Sequence, residues 1–126
     1  MVLVDTSVWI RFLAGREPYS SGLDELLQRD EVVGHQMVFG ELLIGDPGGR
    51  TKLLAEYALI HRAPLVDHDE VVQLVRGRRL HGRGVGWVDI HLIAAALVGG
   101  FQVWTADRSF AAVVKELRLD YNSAAT

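Results

Sequence analysis

The chain predicts an α/β protein, a three-layer α/β/α sandwich with a central parallel sheet, and three observations carry that prediction. Short apolar runs without alternation recur along it, as strands buried on both faces require. Segments of helical periodicity separate those runs. Acids close or follow two of them, where open parallel sheets place their ligand sites.

The elements follow in order. Val2-Leu3-Val4 is a flat apolar run ending at Asp5 and reads as a buried strand. Ser7 is expected to cap a helix carrying Val8, Trp9, Phe12 and Leu13 near helical spacing. Ser20 to Arg29 presents Leu23, Leu26 and Leu27 on one helical face, and Glu31 to Gly34 is short and β-branched, a second strand. Met37 to Ile44 reads as a helix stopped by Gly45-Asp46-Pro47-Gly48-Gly49, and Thr51 to Ile60 as another. After Pro64-Leu65-Val66, Asp67 and Glu70 have the spacing of a capping box for a helix through Val75. Trp87 to Val98 is an Ala-rich helix closed by Gly99-Gly100. Phe101 to Thr105 is a strand, Arg108 to Leu117 a helix, and Leu119-Asp120-Tyr121 a last short strand.

The bulk numbers bound the function. A length of 126 residues fits one domain, 1–126, and 49% hydrophobic residues supply a core. No apolar run approaches the ~20 residues of a transmembrane helix, and no secretory signal is visible, so no membrane partner is expected. The absence of cysteine excludes disulfides and thiolate metal sites and suits a cytoplasmic protein. A net charge of −3 argues against gripping nucleic acid with the whole surface; a local basic patch, or cations held by carboxylates, would have to serve.

Four acids carry the chemistry. Asp5 closes the first strand and Asp107 follows the Phe101–Thr105 strand. Glu41 lies between Phe39-Gly40 and Leu42-Leu43-Ile44, and Asp89 opens the most hydrophobic helix. A carboxylate in apolar surroundings is costly without a compensating partner. Arg11 and Arg108 are the basic residues near Asp5 and Asp107, and none flanks Glu41 closely. If the acids converge, a hard divalent cation, Mg²⁺ or Mn²⁺, is the natural compensation. Each acid also has a structural reading: Asp107 as a helix cap, Asp89 as a first-turn acid, Glu41 turned to water, Asp5 as a turn acid or cap.

Taken together, the four settings resemble the PIN-domain nucleases, most closely the VapC-type toxins of toxin–antitoxin pairs. The motifs are Val2-Leu3-Val4-Asp5-Thr6-Ser7-Val8-Trp9, Phe39-Gly40-Glu41-Leu42-Leu43-Ile44-Gly45, Val88-Asp89-Ile90-His91 with the run to Leu97, and Thr105-Ala106-Asp107-Arg108-Ser109-Phe110. The resemblance spans almost the whole chain. It implies a PIN-like fold and Mg²⁺- or Mn²⁺-dependent endonucleolytic cleavage of RNA. It further implies a VapB-like antitoxin in the active-site groove, and homodimerisation. On that resemblance Asp5, Glu41, Asp89 and Asp107 are the catalytic acids; Asp5, Asp89 and Asp107 hold the metal, and Glu41 positions or deprotonates the attacking water. Thr6 and Thr105 would hydrogen-bond the carboxylates or metal-bound waters. Many relatives carry a further acid where Ser109 stands, so a fifth acidic contact is not expected here.

Arg76, Arg78, Arg79, His81 and Arg83 form a basic segment before Asp89, read either as a phosphate-binding surface or as a solvated helix end. Arg78, Arg79, Arg83 and Arg108 are the candidate RNA contacts. Gly82-Arg83-Gly84-Val85-Gly86 lacks nucleotide-loop spacing and reads as a flexible loop. His35, His61 and His91 show no ligand-like spacing, while Trp9, Phe12, Leu13 and Trp104 read as core. An aspartyl phosphatase would want an acid at Ser7, and a receiver domain a lysine after a late strand. The non-enzymatic alternative is a degenerate PIN-like module that binds RNA or protein without turnover.

Overall fold

In the computed structural model, which describes residues 1–121, the first strand sets the plan. Val2, Leu3 and Val4 form β1 (Val2–Val4), and all three are buried although successive side chains point to opposite faces. Only a strand covered by helices on both sides satisfies that burial, so the sheet is the middle of three layers. The other elements are α1 (Thr6–Leu13), α2 (Tyr19–Gln28), β2 (Val32–Gly34), α3 (Gln36–Ile44) and α4 (Thr51–Tyr57). Then come β3 (His61–Arg62), α5 (His68–Arg78), α6 (Trp87–Gly99), β4 (Gln102–Trp104) and α7 (Arg108–Glu116).

The strands lie in the order β3-β2-β1-β4, and every pair is parallel. Register aligns Leu3 with Val33 on one side and with Val103 on the other. The carboxyl ends of β1, β2 and β4 therefore lie side by side, and extending the register sets Asp5 between Thr105 and His35. Leu3, Val4, Val33 and Val103 fill the middle of the core with Trp9, Leu23, Leu42, Leu92, Ile93, Phe110 and Val113. Trp104 is buried and stacks on Tyr19 with ring centroids 5.9 Å apart.

Several local expectations need correction. Ser7 does not cap α1: Asp5 holds the N-cap position, and Ser7 lies inside the first turn. Asp67 stands at the N-cap of α5 without a side-chain hydrogen bond, so the capping box there does not form. The helix from Thr51 stops at Tyr57 and leaves His61 and Arg62 to make β3, an exposed two-residue edge strand. The strand expected at 119–121 shrinks to one parallel bridge between Val103 and Asp120, because Arg118 takes the left-handed turn (φ 60°) immediately before it. Leu13 is exposed and Phe12 half-buried, so of that group only Val8 and Trp9 are fully core. Gly100 ends α6 in the left-handed conformation (φ 72°), which a side chain would strain.

Candidate active site

The site begins where β1 stops. The Asp5 amide donates to the Trp104 carbonyl (2.9 Å), while the Asp5 carbonyl accepts from Val8 and Trp9 to start α1. The Asp5 side chain is thus free of capping duty, and it is 5% exposed. Its Oδ2 accepts from Ser7 Oγ at 2.7 Å and from Thr105 Oγ1 at 2.8 Å. Each hydroxyl has a single proton and spends it on Asp5, so the 3.2 Å approach of Ser7 Oγ to Thr105 Oγ1 is a contact without a shared proton. Both hydroxyls accept in turn, Ser7 Oγ from the Ala106 amide (3.0 Å) and Thr105 Oγ1 from the Asp107 amide (3.1 Å). These bonds stitch the β1–α1 junction to the β4–α7 junction and leave Asp5 Oδ1 directed at no side-chain donor among the described residues.

Glu41 is exposed, not embedded among apolar neighbours as its sequence setting suggested; Leu43 and Ile44 are exposed as well. The carboxylate is nonetheless held, because Thr6 Oγ1 donates to its Oε1 at 2.6 Å across from α1 to α3. Asp107 does cap α7, with Oδ1 accepting from the Phe110 amide at 3.0 Å. One carboxylate oxygen suffices for that cap, so capping and a second role are compatible. Asp89 sits in the first turn of α6, half-buried, and its Oδ2 accepts from the Gly86 amide at 3.1 Å.

Electrostatics ties the four together. Burial pushes the Asp89 carboxyl up to about 6; the Gly86 hydrogen bond opposes the rise, and the charges of Asp5, Asp107 and Glu41 add to it. Asp89 thus feels all three other acids, from β1, α3 and α7, at once. No basic side chain answers them: the ion pairs among the described residues are Arg29–Glu25 and Arg83–Glu116. Arg11, nearest to Asp5 in sequence, turns away, donating to the Ser7 carbonyl and lying over the Tyr19 ring. Four carboxylates, none of them in an ion pair among the described residues, are a donor type suited to a hard divalent cation. They do not stand in a closed cage, for among the described residues no three acidic or histidine groups are already gathered at metal-holding spacing.

The candidate RNA-binding arginines distribute unevenly. Arg78 ends α5, and Arg79 follows it in the left-handed conformation, both exposed. Arg108 is exposed beside Asp107. Arg83 is already engaged, with Nη1 donating to Glu116 Oε2 at 2.6 Å.

Residues 2–116 match the model of the PIN domain. The chain belongs to the PIN-domain family. It is 44% identical over 117 residues to Ribonuclease VapC32 of Mycobacterium tuberculosis, in strain CDC 1551 / Oshkosh and in strain ATCC 25618 / H37Rv alike, with 92% of each chain covered. That places this PIN domain in the VapC branch of the family. No helix among the described residues is long and apolar enough to cross a membrane.

Sequence reasoning missed one hydrogen-bond donor at this site. Ser7, read as a cap, instead donates to Asp5; a hydroxyl two residues after an acid at a strand-to-helix junction is the signal for it. His35 and His91, read as ordinary, are both buried. His35 Nδ1 accepts from the Met37 amide at 3.0 Å and caps α3, so its proton resides on Nε2. Burial, then the nearby His91, lowers its pKa to about 4.

Proposed function

We propose that this chain, as a single nuclease domain over 1–126, is a metal-dependent endoribonuclease acting as the toxin of a type II toxin–antitoxin pair. What supports the reading is that four carboxylates on neighbouring elements, none of them in an ion pair among the described residues, lie towards the carboxyl edge of a parallel sheet, with Asp89 feeling the charge of the other three. Asp5, Asp89 and Asp107 are the residues that would hold Mg²⁺ or Mn²⁺. Such a cation, when bound, supplies positive charge at the scissile phosphate and lowers the pKa of water.

The chain's own residues do the rest. Ser7 and Thr105 fix one oxygen of Asp5, and the other would be the one to hold a cation. Thr6 holds Glu41 by Oε1, and the remaining oxygen is positioned to orient the attacking water in line with the phosphodiester or to take its proton. Asp89, with its carboxyl near 6, ionises readily once positive charge is present. Arg78, Arg79 and Arg108 are free to neutralise backbone phosphates, and Arg83 joins them when released from Glu116. A VapB-like antitoxin covering this groove, a homodimer and action in the cytoplasm complete the reading, supported by the relation to VapC32 and by a chain without cysteine.

The test is cation binding followed by calorimetry with Mn²⁺. Wild type is expected to bind with an affinity that falls at least tenfold in Asp5→Asn and in Asp89→Asn. Equal affinity in wild type and both variants would refute the assignment.

A further inference from the structure

Three tryptophans are present, and the fold treats them differently: Trp9 is 1% exposed, Trp104 8% and Trp87 44%. Trp87 is the first residue of α6, directly after the Gly86 amide that donates to the Asp89 carboxylate. The backbone that presents the indole is therefore the same backbone that holds one of the four acids. Its ring is not loose. It meets the buried His91, one helical turn on, edge to face at 5.0 Å, and His68 at the start of α5 at 5.3 Å. The indole is thus held between the first turns of α5 and α6, with one face left to solvent.

A large apolar ring left nearly half in water, yet immobilised by neighbours, is poorly explained by core packing. Its setting argues for a flat occupant. In sequence, the exposed Arg79 and Arg78 lie eight and nine residues before it. A ring already ordered gives up little conformational freedom on binding. Indole faces stack on any base, worth a useful share of single-strand affinity.

We propose that Trp87 is the stacking platform for an unpaired nucleobase of the RNA strand, next to the phosphate that the four acids address. The proposal rests on the ribonuclease reading above and deepens it by naming where a base is held. Stacking selects unpaired RNA, because a base inside a duplex offers no free face. It also sets which nucleotide flanks the cut, since the platform and Asp89 share the first turn of α6.

The experiment uses the three tryptophans as reporters. The cleavage-deficient Asp5→Asn protein with Mg²⁺ is mixed with a single-stranded RNA oligonucleotide that wild type cuts, and with the same oligonucleotide carrying one abasic position beside the cut. Because Trp87 is the exposed ring, acrylamide quenching reports chiefly on it. The intact oligonucleotide is expected to shield the protein from acrylamide, the abasic one to shield it much less, and Trp87→Ala in the same background to abolish the difference. In cleavage by the otherwise wild-type enzyme, Trp87→Ala raises KM roughly tenfold with kcat nearly unchanged, and Trp87→Phe restores most of the loss. Wild-type cleavage with unchanged KM and cut-site choice in Trp87→Ala would overturn the stacking role while leaving the ribonuclease reading intact. Absence of cleavage by wild type, with folded protein and bound cation, would instead overturn the reading on which it rests. A dimer that falls apart on Trp87→Ala would also overturn it, marking the indole as a contact between two copies.

Discussion

Replacing Asp89 by Asn should make the cation-free protein more stable while removing its activity. The carboxyl of Asp89 is pushed up to about 6, first by burial and then by the charges of Asp5, Asp107 and Glu41. In the unfolded chain it titrates near its ordinary value of 3.8. Between those two values the folded state holds more protons than the unfolded one, so stability from this group falls as pH rises through the window and is lowest above 6. A shift of about two units corresponds to at most about 3 kcal/mol. Asp89 is only half-buried, and solvent screening reduces that to about 1 kcal/mol. Asn removes the charge, and its side-chain oxygen can still accept from the Gly86 amide.

The expected gain in thermal midpoint is therefore roughly 4 °C at pH 7.5 in chelator. It should shrink towards zero at pH 4, where wild type is also neutral at this position. His35 contributes with the opposite sign: its lowered pKa, about 4 against an ordinary 6.5, makes stability rise with pH through nearly the same window. Variant and wild type must accordingly be compared at each pH, since the wild-type profile alone mixes both groups. Adding Mg²⁺ should raise the midpoint of wild type more than that of the variant. A lower midpoint for Asp89→Asn at pH 7.5 in chelator, or a gain of equal size at pH 4, would refute the electrostatic argument.

Three further outcomes follow from the same geometry. Ser7→Ala or Thr105→Val removes one of two donors to a buried carboxylate and should cost about 1–3 kcal/mol in urea denaturation, with weaker Mg²⁺ binding by calorimetry. His35→Ala loses the imidazole cap of α3 and should cost at least about 1 kcal/mol at pH 7.5, with His35→Asn retaining the cap and more of the stability. Glu116→Gln should cost under about 0.5 kcal/mol, because its ion pair with Arg83 is partly exposed, yet tighten RNA binding and steepen its salt dependence by up to about one unit as Arg83 is freed. Filter-binding titrations across salt concentrations read that slope.

How far the sequence went depends on which physics wrote each feature. β1 was legible because burial on both faces demands an unbroken apolar run, and β4 because Val103 and Trp104 are buried behind an exposed Gln102; the acids after them stand out because a charge ending or following such a segment is conspicuous. β3 was not, since an exposed His-Arg pair at a sheet edge carries no hydrophobic signal. The apolar setting read for Glu41, which stood beside its family motif, does not hold: Leu43 and Ile44 are themselves exposed, and what fixes the carboxylate is Thr6, thirty-five positions away. Ser7 misled because a hydroxyl near a helix start serves equally as a cap or as a donor to a neighbouring acid, and only the β1–β4 register decides between them. The pairing of Arg83 with Glu116 joins a loop to a helix thirty-three positions on and leaves no trace in local pattern.

The central claim is that the four acids act as one cation-dependent centre that cuts RNA. Its most direct test incubates the purified, antitoxin-free protein with total cellular RNA and Mg²⁺ or Mn²⁺ and maps new RNA ends by sequencing, with Asp5→Asn and a chelated sample alongside. Discrete ends that disappear in both controls are the predicted result. The same ends persisting in Asp5→Asn or in chelator, or no new ends from a folded protein with bound cation, would contradict the account.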